Sequence, residues 1–165
     1  MSRASPAPRT AGTLGAEEWR LLIRLPAEVM IATVAARDDG PRRTIAEGLA
    51  GLDAIAAGRG SDSELVRSVV AAIYREPADG YPDDGSRAAA TEDFRDVLGR
   101  CRRAATLLRG AAAPADAAAY CQWVRRIAAR VCDASRSGGA PGDDDGQGGA
   151  VDEELLDELT AALSS

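Results

Sequence analysis

Residues 61–76 read SDSELVRSVVAAIYRE, and the choice between strand and helix for this stretch decides the fold class. Val66, Val69, Val70 and Ile73 are β-branched, a composition that suits a strand. A half-buried strand also needs apolar and polar side chains to alternate with a period of two, and the run shows no such alternation. Leu65, Val66, Val69, Val70 and Ile73 return instead at helical steps and make one stripe of an amphipathic helix. Ser61 and Glu64 stand at capping-box spacing ahead of it, each placed to satisfy a backbone donor of the first turn.

The same period continues on both sides. Upstream, Trp19, Leu22, Ile23, Pro26, Met30 and Val34 recur at three- and four-residue steps from Glu17 onward. Pro26 should kink or split that helix, because it removes a donor and crowds the preceding turn. The run AEVMIATVAA carries no charge after Glu28 and is expected near the middle of the core. It ends at Arg37-Asp38-Asp39-Gly40-Pro41, a turn with a Gly-Pro break. A second helix over about 43–57 is expected to bury Ile45, Leu49, Leu52 and Ile55, with Gly58 and Gly60 as its stop. Downstream, 77–90 is a turn-rich connection, and Thr91 caps a helix that turns Phe94, Val97, Leu98, Cys101, Ala105 and Leu108 inward. Gly110 closes it. Pro114 suits the first turn of the next helix, which carries Tyr120, Val124, Ile127 and Val131 with Trp123 beside them. Gly138-Gly139 ends it, and a last helix runs from about Asp152 to Leu163 with Leu155, Leu156 and Leu159 apolar.

These segments predict an all-α fold, a single-domain bundle of about six helices. Residues 1–12, rich in Pro, Ser and Arg, are expected to form a disordered N-terminal arm. Residues 13–164 form the helical domain, with an acidic Gly-rich loop over 138–151. The pattern Trp19…Glu47-x-Leu49-x-x-Leu52 is echoed by Trp123…Glu154-x-Leu156-x-x-Leu159. Two related helix–loop–helix halves would produce it, and so would chance in an Ala- and Leu-rich helical chain.

Composition excludes several functions. Every positive side chain is arginine, about a fifth of the chain is alanine, and histidine is absent. Without histidine there is no ordinary general base near neutral pH, no common zinc ligand and no Ser-His or Cys-His nucleophile pair. The formal charge of −6 gives no broad attraction to nucleic acid or anionic lipid. No apolar run approaches the roughly 20 residues of a membrane helix, and the N-terminus has no apolar signal core. Cys101, Cys121 and Cys132 are an odd set at wide spacing and fit buried thiols in a reducing compartment. A soluble cytoplasmic protein follows from these features.

The stretch from Gly142 to Glu154, GDDDGQGGAVDEE, is the one candidate metal site. Set against the calcium-loop pattern, Asp143 and Asp145 would be the first ligands. Gln147 would offer a neutral carbonyl, Gly149 a backbone carbonyl, and Glu154 a bidentate closing carboxylate for Ca2+ or Mg2+. Pro141-Gly142 where a helix should enter, Ala150 at the anchoring position, the uncharged Gln147 and the lack of a paired loop oppose it. A solvated linker is the preferred reading, with Asp152, Glu153 and Glu154 complementing the positive end of the last helix. Asp83-Asp84 and Asp143–Asp145 lie in Gly-rich turns, which does not suit an aspartate-rich diphosphate motif.

Arg100, Arg102, Arg103 and Arg109 with Arg125, Arg126 and Arg130 could form a basic face on two adjacent helices. A solvated face with neighbours such as Asp96 and Arg100 paired is the simpler expectation. No aromatic residues are interleaved for base stacking, and no Gly-rich phosphate loop precedes a helix.

Two segments, EEWRLLIRLPAEVMIATVAARDDGPRRTIAEGLAGLDAI and ADAAAYCQWVRRIAARVCDASRSGG with the following VDEELLDELTAAL, resemble a group of small all-helical bacterial proteins. Some of that group are similar to tellurite-resistance TerB-like helical domains. The resemblance covers about 100 residues on loose motifs. It implies a helical fold and acidic metal contacts near Asp38, Asp39 and Glu47, but Pro41, Arg42 and Arg43 interrupt the turn where such a relative keeps acids. The expected function is a non-catalytic interaction or structural module with a protein partner. The alternatives are a divalent-cation-responsive domain built on the 143–154 stretch and a small-molecule or lipid pocket near Trp19, Met30 and Trp123.

Overall fold

The computed structural model describes residues 14–36, 41–75, 94–137 and 145–165; the side chains of 41–43 and 145–148 are not described. The helices are α1 (Ala16–Ala35), α2 (Pro41–Ala57), α3 (Glu64–Arg75), α4 (Phe94–Ala111), α5 (Pro114–Ser137) and α6 (Asp145–Ser164), with a 3₁₀ turn at Gly58–Gly60. No strand occurs among the described residues, and the all-α expectation holds. The arm 1–12, the connection 77–90, the Thr91 cap and the Asp38-Asp39 turn lie outside them.

Within this stretch Glu64–Arg75 is helical as the spacing requires, with Leu65, Val66, Val69 and Val70 buried. The cap sits two residues later than expected. The Ser63 hydroxyl accepts from the Val66 N–H at 3.4 Å and donates to Asp116 Oδ1 at 2.6 Å, while Ser61 Oγ accepts from the Ser63 N–H. One side chain therefore satisfies a donor at the start of α3 and ties it to the first turn of α5.

The core centres on α5, which packs against each of the other five helices. Tyr120, Val124, Ile127 and Val131 are fully buried on it, with Trp123 beside them. Leu22, Leu25 and Val29 of α1, Val97, Cys101 and Leu108 of α4, and Leu159 of α6 close around that stripe.

Pro26 does not split α1, which runs unbroken across it. A proline cannot donate to the carbonyl four residues back, so the Leu22 carbonyl is left over inside the core. The Tyr120 hydroxyl, wholly buried, donates to that oxygen at 2.8 Å. One turn along α5, the Trp123 indole N–H donates to the Ala54 carbonyl at 3.1 Å. Ala54 lies in the last turn of α2, so the indole ties α5 to the end of that helix. Tyr120 and Trp123 meet edge to face, with ring centroids 5.8 Å apart.

The second helix corrects a sequence expectation. Of the stripe Ile45, Leu49, Leu52 and Ile55, only Ile55 is buried; the first three are 65%, 63% and 51% exposed. The inner face of α2 is instead Glu47, Gly51, Ala54, Ile55 and, just past its end, Gly58. The cause is distance. A Cβ on Gly51 would lie 2.5 Å from Met30 Cγ and 3.1 Å from Val131 Cγ2, and one on Gly58 would lie 2.8 Å from both the Trp123 ring and Val70 Cγ2. Large side chains of α1 and α5 already fill the space, so α2 approaches on its small residues and its aliphatic ones point away.

The last helix also differs. It begins at Asp145, seven residues before the expected start, so 145–151 of the expected acidic loop is helical and 138–144 lies outside the described residues. Gly146, Gly148 and Gly149 disfavour helix locally, but tertiary contacts outweigh propensity over a long segment. One such contact is wholly buried Asp152, which accepts from Arg136 Nε at 3.4 Å.

Candidate functional site

The residues of the acidic stretch are not gathered around a point. Asp143 lies outside the described residues, and Asp145 and Gln147 are described only as backbone of α6. Gly149 is half-buried on the same helix and Glu154 is exposed one and a half turns on. Among the described residues no group of three Asp, Glu, Cys or His side chains is placed to hold a metal ion. Glu47, which the TerB-like resemblance implicates, is buried on the inner face of α2. Its counterpart in the sequence echo, Glu154, is exposed.

The concave surface lies along α5. One cleft of about 370 Å³ opens between α4, α5 and the end of α6, with Ala105, Arg109, Ala117, Cys121, Arg125 and Leu163 on its walls. A second, of about 450 Å³, lies between α5 and α6 and is lined by Arg125, Arg126, Ala129, Leu156 and Thr160. A third, of about 340 Å³, is framed by Ala54, Gly58, Ser61, Ser63, Trp123 and Arg126. Gln122 borders all three. Of the pocket residues expected from sequence, Trp123 lines the third cleft. Trp19 and Met30 pack against the core.

The arginines divide into two groups. Arg100 pairs with Glu28 at 2.8 Å, in place of the expected Asp96, and Arg130 pairs with Asp53 at 3.7 Å. Arg136 reaches Asp133 and Asp152. Arg102, Arg103, Arg109, Arg125 and Arg126 make no ion pair among the described residues; Arg109 donates to Thr106 Oγ1 at 3.3 Å. Three of these guanidinium groups, Arg109, Arg125 and Arg126, stand at adjoining clefts.

The titratable groups of α4 and α5 respond to burial. Cys101 is pushed up to about 12 by burial first, then by the neighbouring Cys121 and Glu28. Tyr120 is raised well above the ordinary phenol range, again chiefly by burial. Burial also raises Cys121, while Arg109 and Arg125 pull it back down. Both guanidinium groups therefore act on the thiol at the cleft wall. A thiol held protonated is a poor nucleophile at neutral pH, and burial keeps all three groups in that state.

No family model, curated protein or solved structure matches this chain.

Proposed function

We propose that this protein is a non-catalytic helical interaction module whose contact element is α2 and whose partner is an acidic amphipathic helix. The supporting observation is the exposed seam of Ile45, Leu49 and Leu52, spaced four and three residues apart and opposite the face that packs on α5. An amphipathic helix is read by anchors at such i, i+4, i+7 positions.

Charge and area favour that partner over a second copy. Arg42 and Arg43 occupy the first turn of α2, and Arg59 follows its last turn, exposed and stacked on the Tyr74 ring at 4.1 Å. Asp53 is the one exposed acid on the helix and is paired with Arg130. The chain as a whole carries −6, so copies repel while an acidic helix is drawn to this face. Three aliphatic side chains fall short of the roughly 800 Å² per partner of a stable dimer.

The test uses a synthetic helical peptide with leucines at i, i+4 and i+7 flanked by glutamates, titrated into the labelled full chain by NMR. Shifts should concentrate on α2 and disappear in Leu49→Glu, an exposed site that leaves the circular dichroism unchanged. A lysine-flanked peptide should bind at least about tenfold more weakly, a difference of about 1.4 kcal/mol. No binding at about 1 mM, equal binding by the variant, or free protein that is a dimer split by Leu49→Glu would each reject the proposal.

A further inference from the structure

The cleft between α4, α5 and the end of α6 differs from the α2 seam in shape and in charge. Its size, about 370 Å³, falls within the range of small-molecule sites. Ala105, Ala117 and Leu163 give it apolar walls, and Arg109 and Arg125 enter from two different helices. No Asp or Glu side chain is among the described residues that line it, in a chain with an excess of acids. Ser164 and Ser165 also line it, and among the described residues neither guanidinium pairs with a carboxylate, so the cleft offers both beside an apolar surface. A guanidinium binds a carboxylate through paired N–H donors, and the attraction strengthens where walls exclude water.

We propose that this cleft binds a small amphiphilic carboxylate, its anionic group between Arg109 and Arg125 and its apolar body against Ala105, Ala117 and Leu163. Gln122 at the border supplies an amide for a polar substituent. Cys121, half-buried on the same wall, becomes covered when the ligand is seated, whereas Cys101 and Cys132 are buried throughout. The site is independent of the α2 seam: a ligand here leaves Ile45, Leu49 and Leu52 free.

Octanoate is the probe, and octanol is its uncharged control. Alkylation of Cys121 by iodoacetamide in the intact chain is followed by mass spectrometry, with Cys101 and Cys132 as internal references. Octanoate at about 5 mM should slow Cys121 labelling at least about fivefold, octanol less than about twofold, and the Arg109→Gln/Arg125→Gln double variant should abolish the protection. A second measurement compares iodoacetate with iodoacetamide on the free protein, a ratio in which the thiolate fraction cancels. At low salt the anionic reagent should gain several-fold in the wild type and lose that gain in the double variant. Equal protection by octanol, no protection at about 10 mM octanoate, protection unchanged in the double variant, or a reagent ratio blind to the arginines each overturns the proposal.

Discussion

Replacing Tyr120 by phenylalanine removes one oxygen and keeps the ring that packs on Trp123. In the folded protein that oxygen's partner is the Leu22 carbonyl, which cannot turn to a helical N–H because residue 26 is proline. Leu22 is fully buried, so water cannot serve as a substitute. The variant should therefore be destabilised by the full cost of a stranded buried acceptor, about 1–3 kcal/mol, rather than by the smaller net value of an ordinary hydrogen bond. For a chain of this length about 2 kcal/mol lowers the melting temperature by roughly 4–8 °C. In a Pro26→Ala background the alanine N–H can donate to the Leu22 carbonyl through the regular helical bond. Tyr120→Phe should then cost about 0.5 kcal/mol, a coupling of about 1–2 kcal/mol between residues far apart in sequence. Urea unfolding of the four chains, followed by far-ultraviolet circular dichroism, measures it. An equal Tyr120→Phe cost in both backgrounds would show that the hydroxyl does not serve the proline's missing donor.

Two further outcomes follow from the same packing. Gly58→Ala should destabilise by about 1–3 kcal/mol, since its Cβ meets the Trp123 ring and Val70 at 2.8 Å, whereas Gly48→Ala, whose Cβ would meet nothing within 4 Å, should stabilise by about 0.5–1 kcal/mol; thermal melts that rank them the other way reject the close approach of α2. Cys101 keeps its proton in the folded state up to about pH 12 but loses it near 9 when unfolded, so the unfolded state binds fewer protons between those values and stability falls as pH rises through them. The slope approaches about 1.4 kcal/mol per pH unit for this group, with Tyr120 adding to it above about pH 10, and Cys101→Ala should flatten it in urea titrations at pH 8–11.

How far the sequence is legible depends on how local the cause is. The stripes of α3, α4 and α5 are each set by a run of large side chains on one face, and those residues are buried as their spacing requires, except Ile73 and Phe94, which are half-buried near the ends of their helices. On α2 the same rule selects the wrong face, because it weighs the size of apolar groups and not the room beside them. Gly51, Ala54 and Gly58, at three- and four-residue steps, are the signal that was there: small residues in helical register mark a close approach. Pro26 announces a stranded carbonyl, but the hydroxyl that answers it comes from another helix 98 residues away. Sequence places Arg109 and Arg125 on neighbouring helices; the cleft between them depends on how Ala105, Ala117 and Leu163 meet across three elements.

The hydroxyl of Tyr120 and the indole of Trp123 stand on one turn of α5 and latch onto two different helices. Bundles held by grease alone tolerate sliding, since one leucine fits nearly as well where another sat. Here a shift of α5 along its axis by a single turn, about 5.4 Å, would strip the Leu22 carbonyl of its donor and the Trp123 indole of its acceptor at once, and bury both groups unpaired. The pair acts as an alignment key: it rejects slipped assemblies that an aliphatic interior would accept.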